Sequence, residues 1–420
     1  MSFIPQGFRM NSKDIVIASL MGFVSTFEAT MILIAVPIIS IYFGISHFQA
    51  SFLVTIYVAI EALLFVPFAV VFERVGLRLG MIFGGALLAA GGFLIFFSSS
   101  FVEIELFRII QAVGASIVLP TSLVYASSIG DDAKRGSAIG TNHTIVSLGY
   151  VIGLPVGGIV ALLDWKVLFV VSSLLALVCL AFILKIEDVR RVSSIGRSAF
   201  GPSLSLSGVL VLVLNIWAGV IVVAMGLIMS LRARLPREYV KSSISGFLHS
   251  ITRNSFAAYL VFLYAYLGYN ALHYSLLVLL FPLSFTFFSL AGGKASDRFG
   301  RKLVPMLAFL MMALFSISIF VNSILAEILL GVASGLATTS NTSYTMNSLA
   351  QENRVVGSAL RTLQGTVAMS IGLTLASIIS IGHENITIIL VALNLIAAAF
   401  VIFYELPKSR EGTSNYHDLR

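Results

Sequence analysis

Twelve apolar runs, each near the length of about 20 residues that a helix needs to cross a bilayer core, recur along the chain. They lie near 14–40, 49–72, 79–99, 102–128, 138–163 and 166–184, and then near 255–272, 274–292, 303–323, 325–348, 356–381 and 385–405. Membrane strands would instead alternate in runs of about ten residues, so the fold class is all-α and polytopic. Composition agrees, because only 11% of the 420 residues are charged, 58% are apolar and mean hydropathy is +1.01. A soluble domain carries about 25% charged residues, so an ordinary cytosolic enzyme, a disordered chain and a disulfide-stapled scaffold are all excluded.

The lone cysteine, Cys179, sits in an apolar run and reads as a small membrane-facing residue. The net charge of +7 is what basic loops on one membrane face produce, and no nucleic-acid partner is expected. Met1 to Lys13 is short and polar, and the apolar run after it is too long for the core of a cleavable leader.

Lys and Arg set the expected orientation. With odd-numbered spans of each six-span half running outward, 24 of the 26 basic residues fall at the cytoplasmic face, Arg108 and Lys166 being the exceptions. Both termini are then cytoplasmic. An additional apolar run, Leu204 to Leu231, must cross an even number of times to keep that bias, and its 28 residues allow a short hairpin or a re-entrant segment. The expected organisation is an N-terminal six-helix bundle at 1–185 and a cytoplasmic linker with the inserted segment at 186–254. A C-terminal six-helix bundle at 255–405 and a cytoplasmic tail at 406–420 complete it.

The two halves echo each other. Arg135-Gly-Ser-Ala-Ile-Gly-Thr141 enters the fifth span, as Val356-Gly-Ser-Ala-Leu-Arg-Thr362 enters the fifth span of the second half. Glu73-Arg-Val-Gly76 likewise pairs with Asp297-Arg-Phe-Gly300, each between the second and third spans of its half. Parallel repeats of this kind build transporters whose site lies between two rocking bundles.

The loop Gly293-Lys-Ala-Ser-Asp297-Arg298-Phe-Gly300-Arg301-Lys302 clusters an acid and strong cations at a helix junction, where they can latch one conformation. It resembles the loop signature of the major facilitator superfamily at every fixed position. The first-half copy keeps Arg74, Gly76 and Arg78 but has Glu73 for Asp and Ala69 for Gly. Leu106-Phe-Arg108-Ile-Ile-Gln111-Ala-Val-Gly114 is similar to the superfamily's intramembrane arginine motif. Gly149-x-x-x-Gly153-Leu-Pro155-Val-Gly157-Gly158 is similar to its antiporter motif, with Leu154 intervening before the proline. Phe27-Glu28-Ala-Thr30 through Pro37, and Asp164-Trp165-Lys166-Val-Leu-Phe169, resemble signatures of the fourteen-helix drug:proton antiporter branch. The resemblance implies two six-helix bundles and transport by alternating access.

Glu28 lies about 14 residues, or roughly 20 Å, into the first span, and Glu61 is at similar depth in the second. With Arg108 they are the candidate proton-coupling or cation-recognition groups, the alternative being a static ion pair between helices. Further candidates for lining a cavity are Gln111, His143, Tyr266, Tyr269, Asn341, Tyr344 and Gln364. The phosphate-loop pattern fails around Gly293-Lys294, so no nucleotide engine is expected. No cofactor and no metal site is expected either.

The function expected is secondary active transport and not enzymatic catalysis: proton-coupled efflux of amphipathic or cationic small molecules, or uptake or facilitated diffusion of a small organic solute on the same fold. The partners expected are a small-molecule substrate, a proton or other coupling ion and the lipid bilayer, with the protein a monomer in the cell membrane.

Overall fold

In the computed structural model the described residues are 12–128, 132–190, 236–300, 302–348, 354–379 and 383–402, with four isolated positions between 202 and 225. They form α1 (Ser12–Phe43), α2 (His47–Val75), α3 (Leu77–Phe96), α4 (Phe101–Ser127), α5 (Asp132–Ala161) and α6 (Val167–Ile183). The second half has α7 (Arg237–Tyr266), α8 (Ala271–Val278), α9 (Leu280–Phe299), α10 (Leu303–Phe315), α11 (Ser323–Asn347), α12 (Arg354–Ile379) and α13 (His383–Ile402). Among the described residues nine helical stretches are long and apolar enough to span a bilayer, and there are no strands. The inserted run at 204–231 lies almost wholly outside the described residues, so its crossing is not described.

Local signals explain where the helices start and break. Ser46 and Ser100 accept from the backbone N–H groups of Gln49 and Glu103, and those two side chains reach back in capping boxes that begin α2 and α4. The α8 and α9 segments form one crossing interrupted at Leu279. Pro282 explains the break, since it offers no N–H to the carbonyl four residues back and its ring clashes there. Gly76 and Gly300, the paired glycines of the two repeated loops, have φ of +144° and +110°, a region that side-chain-bearing residues rarely enter.

Packing repeats between halves. α1 lies on α5 as α7 lies on α12, α2 on α4 as α9 on α11, and α3 on α6 as α10 on α13. The halves meet reciprocally, α2 against α12 and α5 against α8. This is the two-bundle architecture expected from the repeats.

One boundary differs from expectation. The seventh helix begins at Arg237, not near 255, so much of the stretch assigned to the linker is the first half of α7. Its polarity is misleading because Ser242, Ser245, His249 and Thr252 are all fully buried against other helices of the second bundle. The residues after α6 are also ordered onto the first bundle. Val189 accepts from the Leu77 amide (3.0 Å), Asp188 from the Arg78 amide (2.9 Å), and Glu187 from the Tyr125 hydroxyl (3.2 Å). Asp188 thereby supplies the N-terminal cap that α3, starting at a glycine, lacks.

Candidate functional site

Glu28 and Glu61, at the midpoints of α1 and α2, and Arg108 of α4 are brought together inside the first bundle, at 3%, 2% and 0% exposure. Arg108 ion-pairs with Glu28 and donates to Gln111 Oε1 (2.9 Å) and to the Leu53 carbonyl (3.3 Å). Its guanidinium lies 4.1 Å from the Tyr57 ring centre, and the Tyr57 hydroxyl meets Ser25 at 3.3 Å. Glu61 Oε1 has no hydrogen-bond partner among the described residues. Glu28 pairs with the one guanidinium while Glu61 lies within electrostatic reach of both, so burying all three ionised would leave a charge uncompensated. Such a trio is chemically suited to exchange one proton.

The antiporter-like motif holds Glu28 in place. A Cβ on Gly153 would stand 2.8 Å from the Phe27 carbonyl, and Gly149 meets Thr26 and Phe27 as closely, so α5 sits directly on the Glu28 turn of α1. Thr26 pins the pair by donating to the Val146 carbonyl at 2.6 Å. Gly157 continues this face along Met31, Pro155 lies inside α5, and Gly158 turns to α8, against Ser275. The side chain of His143 lies outside the described residues.

Hydrogen bonds join the halves near the end of the bundle where α1 passes to α2. Ser51 meets Ser377 at 3.4 Å, Thr55 meets Thr374 at 3.3 Å, and Tyr274 donates to the Ile34 carbonyl at 2.6 Å. Deeper in, Arg253 lies 16 residues into α7, about 24 Å along it. It is partly exposed between buried neighbours, and its guanidinium lies 5.2 Å from the centre of Phe285 on α9. Tyr150 of α5, 39% exposed, is within electrostatic reach of both Glu61 and Arg253. Tyr150 thus stands near groups of both halves. Arg253, expected among the basic residues at the cytoplasmic face, lies midway along a 30-residue helix, and the Ser-rich start of α7 reads as linker in the sequence.

The second bundle is pinned by neutral polar groups that sequence reading also missed. His249 Nδ1 meets Asn394 Oδ1 at 3.2 Å, and Nε2 meets Ser334 Oγ at 3.0 Å. Asn394 uses its amide on the Leu390 carbonyl, so its oxygen accepts, and His249 carries its proton on Nδ1. Glu327, fully buried near the start of α11, accepts from the Tyr264 hydroxyl at 2.6 Å.

Several expected cavity residues have other partners. Gln111 serves Arg108, Asn341 bonds Ser245 and the Ser242 carbonyl, Tyr344 donates to Glu238, and Gln364 accepts from Arg361 at 3.3 Å. Tyr266 and Tyr269 lie at the end of α7 and in the turn after it, 66% and 47% exposed, and not deep in the bundle. Of the repeated loops, Glu73 is fully buried and Arg74 exposed, while Arg78 Nη2 donates to the Leu184 carbonyl at 2.6 Å. Arg298 lies over Phe299, and Lys302 donates to the Ile402 carbonyl at 2.6 Å. The side chain of Asp297, the contacts of Gly293 and all of Arg301 lie outside the described residues. Among the described residues no group of His, Cys, Asp and Glu is arranged to hold a metal.

The family model of the Major Facilitator Superfamily matches residues 18–237 and 242–418. The chain belongs to this superfamily. It is therefore a multi-pass membrane protein of this superfamily. Among curated relatives, the riboflavin transporter RibZ of Clostridioides difficile is 30% identical over 151 residues, 36% of this chain and 33% of that protein. Multidrug resistance protein 2 of Bacillus subtilis is 32% identical over 171 residues, 38% of this chain and 42% of that protein. The methyl viologen resistance protein SmvA of Salmonella typhimurium is 25% identical over 155 residues, 36% of this chain and 31% of that protein. The chain thus matches between about a third and two-fifths of these relatives' lengths. The xylose transporter XylE from E. coli, in a partially occluded inward open conformation, shares the fold. Its TM-score is 0.66 at 15% identity, over 96% of this chain and 99% of that one.

Proposed function

We propose that this superfamily member is a proton-coupled exporter of amphipathic or cationic small molecules, working by alternating access between its two bundles. The observation that carries this reading is the buried trio of Glu28, Arg108 and Glu61 beside the cleft. Glu28 is engaged by Arg108, which supports a coupling role over direct cation recognition. Glu61 has an oxygen free to take a proton. The motif glycines Gly149, Gly153 and Gly157 link any shift of α1 to α5, and Gly158 passes it to α8 of the other bundle. The repeated loops, Glu73 to Arg78 and Gly293 to Lys302, act as latches at the opposite end of the bundle from the Ser51–Ser377 contact. With that end cytoplasmic, as its basic residues favour, both termini are inside and the described conformation is closed outward. The protein works as a monomer in the cell membrane. Drug-resistance relatives support export. The relative named for riboflavin transport supports the second reading, uptake or facilitated passage of a small organic solute.

The test uses purified protein in liposomes with a trapped pH dye, an inward-acidic gradient and a panel of lipophilic cations. Substrate-dependent proton release by wild type, lost in Glu28→Gln, is the expected result. Proton release that persists in Glu28→Gln would remove the coupling role from Glu28. Absence of proton flux with every cation, and with planar amphipathic anions added to the panel, would favour the uptake reading.

A further inference from the structure

The buried and half-buried cations within the two bundles differ in how their donors are used. Arg108 engages Glu28, Gln111 and the Leu53 carbonyl and lies against the Tyr57 face, with its Nη2 alone left without a partner among the described residues. Arg361 donates to Gln364. For Arg253, among the described residues, no carboxylate lies at ion-pairing distance and no hydrogen-bond acceptor is found. It lies against the face of Phe285, and a ring quadrupole attracts a cation without occupying its N–H groups. A guanidinium resting on a ring keeps its in-plane donors free, which is the geometry that receives a carboxylate, sulfonate or phosphate through two parallel hydrogen bonds.

Tyr150 of the first bundle lies within electrostatic reach of Arg253, which sets the half-buried guanidinium near the seam between the halves. Phe285 is held firmly, since the α9 backbone there touches α11, with its carbonyl 2.5 Å from where a Cβ on Gly335 would stand. From the first bundle Tyr150 presents a partly exposed ring.

We propose that Arg253 is the docking point for an anionic group on the transported molecule, with Phe285 and Tyr150 as aromatic walls for a planar ring system. This rests on the reading that the cleft is the transport path, and it narrows amphipathic cargo to planar molecules that carry an acidic group. One bundle would hold the anionic end and the other the aromatic body, so the bound molecule would couple their motions.

Fluorescein and rhodamine 6G share a xanthene ring system but carry opposite charge, which makes them a matched pair. Their binding to the purified full chain in detergent is read by fluorescence polarisation, at a pH where fluorescein is a dianion. Wild type is expected to bind fluorescein saturably. Arg253→Gln should weaken that binding about tenfold or more, the factor carried by loss of a charge-assisted hydrogen bond, and Arg253→Lys by less. Rhodamine 6G should bind Arg253→Gln as tightly as wild type or more so. Absence of saturable fluorescein binding to wild type would overturn the proposal. So would unchanged fluorescein affinity in Arg253→Gln, or equal loss of both dyes in a variant that melts like wild type. Binding is read without a gradient, so failure of proton-driven flux would leave this result standing and would count only against the coupling assignment.

Discussion

Replacing Arg108 by Met probes the energetic centre of the first bundle. The change strips Glu28 of its ion-pair partner and removes the bonds to Gln111 and Leu53 and the seat over Tyr57. Leaving one member of a buried pair alone costs about 3–5 kcal/mol. Glu28→Gln is milder. Arg108 keeps Gln111, Leu53 and Tyr57, and an amide oxygen replaces a carboxylate, a loss of about 1–1.5 kcal/mol between charge-assisted and neutral hydrogen bonds. The double variant contains neither charge and should cost about 2–3 kcal/mol, because the largest penalty in Arg108→Met, the stranded carboxylate, is gone. The singles sum to about 4–6.5 kcal/mol, so a coupling of about 1–4.5 kcal/mol is expected, above the scatter of independent sites. Reversible unfolding of the four proteins by titration of SDS into mild detergent measures it. Additivity within about 0.5 kcal/mol would refute the claim that the pair acts as one unit.

Two other outcomes follow from the geometry. Ser51→Cys combined with Ser377→Cys replaces two hydroxyls 3.4 Å apart, and oxidation should join the halves at that end and stop substrate flux until a reductant is added. Flux that survives verified cross-linking would mean that this contact does not open in the cycle. Asn394→Leu strands His249 Nδ1 in the second bundle, while the Thr252 hydroxyl keeps the His249 carbonyl at 2.7 Å, and should cost about 1–3 kcal/mol, read as a lowered melting temperature. A wild-type melt would show that the His249–Asn394 bond does not matter.

Sequence by itself determined the class of this protein, because backbone polar groups in lipid must be satisfied within helices and runs of about 20 apolar residues admit no other fold. It also determined the repeat, since Gly76 and Gly300 occupy the same strained turn in each half. The residues Glu28, Glu61 and Arg108 were legible for a related reason: a charge within an apolar run stands out against its neighbours. Arg253, His249 and Glu327 were not. Arg253 and His249 lie in a helix whose first half is polar enough to read as linker, and only packing against α11, α12 and α13 reveals that this polarity is satisfied internally. Glu327 stands one turn from a helix start, where an acid is ordinary, and its burial against Tyr264 is a tertiary fact. Pairing was likewise beyond the sequence, which left Glu28 open as a cation site. Whether its carboxylate faces a guanidinium or a cleft depends on how α1, α2 and α4 are rotated, and the close seating of α5 on α1 at Gly149 and Gly153 fixes how α1 sits.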